Sequence, residues 1–172
     1  GLYFKIRNTQ NDLHGLWQLG KGEILKPEYQ WIDILQVGGP YSVQQNGKKA
    51  LFSGDGQQLT GFDYTRLSYH ALRPEVISAG LPNQKMTLLR LSDGKPIEAE
   101  VYDEVRPIRD TDTGYMVSKK DQFSALHAPD GRRLTPHKYT FIRSCTKPAT
   151  PEVLPGGRYI VACAAVYTDQ GP

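Results

Sequence analysis

Two aspartates, one residue apart in the stretch DTDTG at 110–114, have the spacing in this chain best suited to chemistry. Asp110 and Asp112 could share a calcium ion, a hard cation that takes carboxylate oxygens. Asp121 stands twelfth from Asp110, where a calcium loop places its closing carboxylate. Gly114, however, comes one residue too early for the sharp turn of such a loop. The stretch therefore reads as a solvated hairpin loop, and no metal is expected. The histidines, His14, His70, His127 and His137, form no His-x-x-x-His pair and have no Cys or carboxylate cluster at ligand spacing. His127 and His137 read as packed or surface side chains. There is no Gly-x-Ser-x-Gly elbow and no glycine-rich loop opening a helix. The expectation is a protein that is not an enzyme and carries no cofactor.

Cys145 and Cys163 are the two cysteines. They flank TKPATPEVLPGGRY, a Pro- and Gly-rich stretch that reads as a loop. A disulfide across it is one reading, and two separate buried thiols are the other. A paired cysteine count fits an oxidising compartment, so a periplasmic or otherwise exported location is expected.

With 21 Lys and Arg dispersed among 18 Asp and Glu, the net charge is +3. No basic run of nucleic-acid-binding type occurs, so no nucleic-acid partner is expected. The mildly basic balance leaves room for an acidic protein partner. No apolar stretch approaches the roughly 18 residues of a membrane span. With 17 Gly and 12 Pro, long helices are disfavoured and many short strands are favoured.

The elements that must position any site are announced by a repeated phrase. NGKKALFSGDGQQL at 46–59 returns 75 residues later as DQFSALHAPDGRRL at 121–134. Gly22, Gly56, Gly94 and Gly131 mark four turns, spaced 34, 38 and 37 residues apart. A tyrosine follows each, Tyr29, Tyr64, Tyr102 and Tyr139, and three residues later comes Ile32, Leu67, Val105 or Ile142. Short alternating segments open the units: YFKIR at 3–7, YSVQQ at 41–45, EVISA at 75–79, YMVSK at 115–119, with a last copy, YIVAC, at 159–163. The Asp-Gly pairs supply the positive φ of tight hairpins, and the tyrosines read as core. Trp17 reads as the counterpart of Phe52 and His127. One unit is too small to bury its own face, so neighbours must join.

The predicted fold is all-β. Four three-stranded antiparallel meanders of about 35–38 residues form one curved array, a closed propeller-like ring being the alternative. The whole chain, 1–172, is read as a single β-repeat domain with units near 3–40, 41–75, 76–114 and 115–163.

The first unit spells HGLWQLGKGEILKPEYQWI at 14–32. It resembles a WG-type β-repeat in Gly15, Trp17, Gly22, Ile24, Pro27, Tyr29 and Ile32. Later units keep the turn, aliphatic and tyrosine positions, and Gln18 replaces the glycine that follows the tryptophan in that family. The resemblance implies a bacterial all-β repeat scaffold without catalytic residues.

On such scaffolds recognition falls to the loops that differ between units. The candidate partner-binding residues are therefore Trp31, Tyr69, His70, Arg73, Arg109, Asp110 and Asp112. The expected function is non-catalytic protein binding, in its sharpest form an immunity-type protein that neutralises a secreted toxin or effector. A cell-envelope protein binding glycan or peptidoglycan is the alternative.

Overall fold

In the computed structural model, residues 2–108, 114–142 and 166–167 are described. They contain strands and turns and no helix. Residues 1–100 and 101–172 form two compact units, taken in turn.

The first unit holds three antiparallel sheets. Strands β1 (Tyr3–Arg7), β2 (His14–Gln18) and β3 (Gly22–Tyr29) form the first. Strands β4 (Trp31–Ile34), β5 (Tyr41–Gln45) and β6 (Lys48–Phe52) form the second; β7 (Arg66–Tyr69), β8 (Val76–Gly80) and β9 (Met86–Arg90) form the third. In the second unit, β10 (Glu104–Pro107), β11 (Met116–Lys120) and β12 (Phe123–His127) make a fourth sheet, and β13 (Phe141–Ile142) pairs with β14 (Val166–Tyr167). Among the described residues, the number of three-stranded antiparallel sheets, four, is the number the turn spacing predicts.

The sheets do not coincide with the sequence units. The Tyr-x-x-Ile segment that closes one unit pairs with the segment that opens the next: Ile32 lies opposite Val43, Leu67 opposite Ala79, Val105 opposite Ser118. After each Asp-Gly turn the chain then returns along the sheet through isolated contacts rather than a full ladder. Phe52 meets Gln58 and Lys49 meets Tyr64; 75 residues on, His127 meets Arg133 and Ser124 meets Tyr139.

The copied phrase is also a copied set of hydrogen bonds. Leu59 N–H donates to Leu51 O at 2.8 Å, and Leu134 N–H to Leu126 O at 2.7 Å. Ser53 N–H donates to Gln57 O, and Ala128 N–H to Arg132 O. Leu51 N–H donates to Thr60 Oγ1 and Leu126 N–H to Thr135 Oγ1, both at 2.9 Å. Gly56 and Gly131 share a φ of 86°. That region is closed to most side chains, and a methyl at Gly56 would also overlap the Ile24 carbonyl. The tyrosines divide: Tyr64 and Tyr102 are buried, whereas Tyr29 and Tyr139 are half-buried.

Strand alternation lets one sheet serve two cores. On β6, Ala50 and Phe52 join Leu16, Leu25, Ile32, Tyr41 and Val43 in one cluster. Leu51, between them, points the other way and joins Tyr64, Leu67, Ile77, Ala79, Leu89 and Leu91. Each large buried aliphatic contributes about 1.5–3 kcal/mol, so neither sheet face is dispensable.

Candidate binding site

Of the seven residues predicted to bind a partner, Arg109, Asp110 and Asp112 lie outside the described residues, as do Cys145 and Cys163. The other four fall at two ends of the first unit. Trp31 opens β4, opposite Gln44, while Tyr69 closes β7, opposite Ile77. Because β4 and β7 occupy equivalent edge positions, Trp31 and Tyr69 sit at opposite ends of their strands.

At the Trp31 end the indole stands 45% exposed. Its Nε1–H donates to Asp33 Oδ1 at 2.7 Å, and Asp33 Oδ2 meets Lys49 Nζ at 3.3 Å. Lys5 Nζ lies 4.4 Å from the ring centre, a cation–π contact. The His14 ring meets the indole edge-on at 5.4 Å, and its Nδ1 lies 3.0 Å from Gln30 O. Polar and charged neighbours thus hold a large apolar ring in one pose in the open.

At the other end, loop 35–40 meets loop 70–75. Gln36 Nε2 donates to Tyr69 Oη at 2.7 Å and to Pro74 O at 2.9 Å. Beside them opens a cavity of about 410 Å³, lined by Gln36, Pro40, Pro74, Glu75, Arg90, Leu91 and Ser92. Its size falls within the range of ligand clefts. His70 is exposed, and its Nδ1 accepts from Leu72 N–H at 3.3 Å. Arg73 corrects the sequence reading. It was expected at the surface, but only 6% of it is exposed, because the turn from His70 to Val76 folds it inward. Desolvation pushes its guanidinium below the usual arginine range.

The second unit contains a cluster that sequence reasoning missed. Tyr29, Phe52 and Phe62 form an aromatic trio in the first unit, with Val43 in the same core. The corresponding residues of the second unit are Tyr102, His127, His137 and Ser118. Tyr102 contacts His127 and His137 at ring distances of 5.6 and 5.5 Å. Ser118 Oγ lies 2.7 Å from His127 Nε2 and 2.8 Å from His137 Nε2. His127 Nδ1 lies 3.0 Å from Gly131 O, and Arg133 Nη1 lies 3.4 Å from His137 Nδ1.

Two of its partners constrain the direction of this chain. A carbonyl only accepts and a guanidinium only donates. Gly131 O therefore puts a proton on His127 Nδ1, and Ser118 donates its hydroxyl to His127 Nε2. Ser118 Oγ accepts from His137 Nε2–H, and His137 Nδ1 accepts from Arg133. A hydroxyl against an anchored imidazole has the geometry of an activated nucleophile. Ser118 and His127 are fully buried, so a substrate cannot reach the hydroxyl, and the cluster is a polar core plug. The signal was present in the sequence: two histidines stand where phenylalanines stand 75 residues earlier.

Among the described residues, no three His, Cys, Asp or Glu side chains converge as a metal site. No helix among them is long and apolar enough to cross a membrane.

Among the described residues the chain is all-β, with four three-stranded antiparallel sheets. No family model matches the chain, and no curated protein does. Solved structures overlay part of it. One is KlHsv2 with loop 6CD replaced by a Gly-Ser linker, with a TM-score of 0.42 and 14% identity over 77% of this chain and 48% of that one. Another is the computationally designed Ika8 protein, with a TM-score of 0.38 and 12% identity over 76% of this chain and 46% of that one. The chain spans about half the length of either.

Proposed function

We propose that the chain is a non-catalytic protein-binding domain, a degenerate WG-type β-repeat that neutralises a secreted toxin or effector. One observation supports this reading above the others: Trp31, exposed and braced by Lys5, His14 and Asp33. Tryptophan is among the residues most enriched at binding hot spots, and a ring already fixed in its pose suits a protein surface. Recognition of a glycan is less well supported. A sugar stacks on an open aromatic face, and here the Lys5 ammonium already sits over the ring.

The test is a pull-down from the native host, followed by titration of the captured protein. Trp31→Ala is expected to weaken the complex by about 2 kcal/mol or more, roughly 30-fold. Far-ultraviolet circular dichroism should stay unchanged, since the ring covers little of the core. An unchanged dissociation constant refutes Trp31 as the anchor. Capture of cell-wall glycan in place of a protein refutes the class.

A further inference from the structure

Arg73 is a buried cation with no anion. Its Nε is enclosed and has no hydrogen-bond partner, and no carboxylate lies within ion-pair distance of its guanidinium among the described residues. A guanidinium does not escape this by losing its proton, as a buried lysine can. With Nε enclosed and unpaired, part of the guanidinium's hydration is lost with no protein hydrogen bond in return. Consistent with that, desolvation is the one influence on its titration, and no acidic neighbour opposes it.

The residue is nevertheless held firmly in place. Arg73 N–H donates to His70 O at 2.9 Å, and Arg73 O accepts from Val76 N–H at 3.2 Å. On either side, Pro74 O accepts from Gln36 Nε2, and Glu75 O accepts from Leu91 N–H at 2.8 Å. The residues next to it in sequence, Leu72 and Pro74, are exposed, so the buried arginine lies within a surface loop. A cation held rigidly at a functional cost to stability, beside a cleft, is what a preorganised anion receptor requires.

We propose that Arg73 receives a carboxylate from an acidic segment of the protein partner, at the loop that walls the cleft. This rests on the protein-binding reading above and adds the partner's chemistry. A carboxylate suits this guanidinium. Its two oxygens can accept from the two Nη groups of the planar fork, which, unlike Nε, are not enclosed. The net charge of +3 draws such a segment toward the chain before contact.

The experiment uses the full chain with a hexaglutamate peptide as the probe, and hexaglutamine and sodium phosphate as controls at matched ionic strength. At a hundredfold excess over its Kd, hexaglutamate is expected to raise the wild-type Tm by about 5 °C. Hexaglutamine and phosphate should not. Arg73→Met should lose the shift and, without peptide, melt above wild type, because the unpaired charge is gone. Arg73→Lys keeps the charge but not the fork, and should bind the peptide at least tenfold more weakly by isothermal titration. It carries the test alone if Arg73→Met does not fold. Equal shifts in wild type and Arg73→Met, equal peptide affinity of Arg73→Lys, or a phosphate shift matching that of the peptide overturns the proposal. A captured partner that needs Trp31 but ignores Arg73 overturns this inference and leaves the protein-binding function standing.

Discussion

Replacing Ser118 by alanine removes the one hydroxyl that His127 Nε2 and His137 Nε2 share. His127 Nε2 loses its donor, and His137 Nε2–H loses its acceptor. A buried polar group left unpaired costs about 1–3 kcal/mol. His127 is fully enclosed and bears the upper part of that range; His137 is half-buried, so water relieves part of its loss. The sum is about 2–4 kcal/mol, or roughly 5–12 °C in Tm for a chain of this size. Removing the polar groups together should behave differently. The triple substitution Ser118→Val, His127→Phe, His137→Phe copies Val43, Phe52 and Phe62 from the first unit, whose rings already pack at 5.6–6.3 Å. It should lie within about 1 kcal/mol of wild type or above it, as apolar replacements of buried polar networks often do. Urea denaturation, followed by circular dichroism, measures both. If Ser118→Ala melts with wild type, or if the triple variant is less stable than Ser118→Ala, the hydrogen-bond chain inferred here is wrong.

Other perturbations follow from the same geometry. Tyr102→Ala should cost about 3–5 kcal/mol, because the residue is only 1% exposed, while Tyr139→Ala should cost less; parallel thermal melts decide. Gly54→Ala should destabilise by about 1–3 kcal/mol, since the added methyl would overlap the Gly38 carbonyl oxygen, and urea midpoints report it. Burial raises the phenols of Tyr29 and Tyr64, so the native state holds protons there that the unfolded chain releases. Their contribution is complete below about pH 10 and is lost as pH rises through the higher folded values; an alkaline denaturation series should shift upward in Tyr64→Phe. A hydrogen bond from Ser53 lowers the Asp55 carboxyl, and one from the Lys95 amide lowers that of Asp93. Their contributions are present above about pH 4 and are lost as pH falls, so Asp93→Asn should flatten the acid limb of the stability curve.

Turn chemistry made the architecture legible. Only a few residue types accept the positive φ of Gly56 and Gly131, so the pattern survives where side chains drift. The pairing of Ile32 with Val43 across a unit boundary was not legible, because strand pairing is a non-local choice that local periodicity does not record. Trp31 is exposed, as a residue proposed to meet a partner must be. Arg73 was misread for a physical reason: HALRPE has the composition of a surface loop, and the inward turn of one side chain depends on backbone hydrogen bonds no motif encodes. His127 was aligned with Phe52 in the sequence, yet its role required Ser118, which comes from a neighbouring strand and completes the chain only in three dimensions.

The alternation on β6 has a consequence for how such a chain can lengthen. Phe52 fits the sheet before it and Leu51 the sheet after it. The second sheet thus carries both halves of the joints to the sheets before and after it in the first unit. A stretch copied in frame, from one turn glycine to the next, arrives with a face for each side and needs no new surface to be invented. Duplication is therefore inexpensive for this fold, whereas a shift of a single residue within a strand exchanges the two faces and spoils both joints at once. The length of the chain is free to change by whole units, and its register is not.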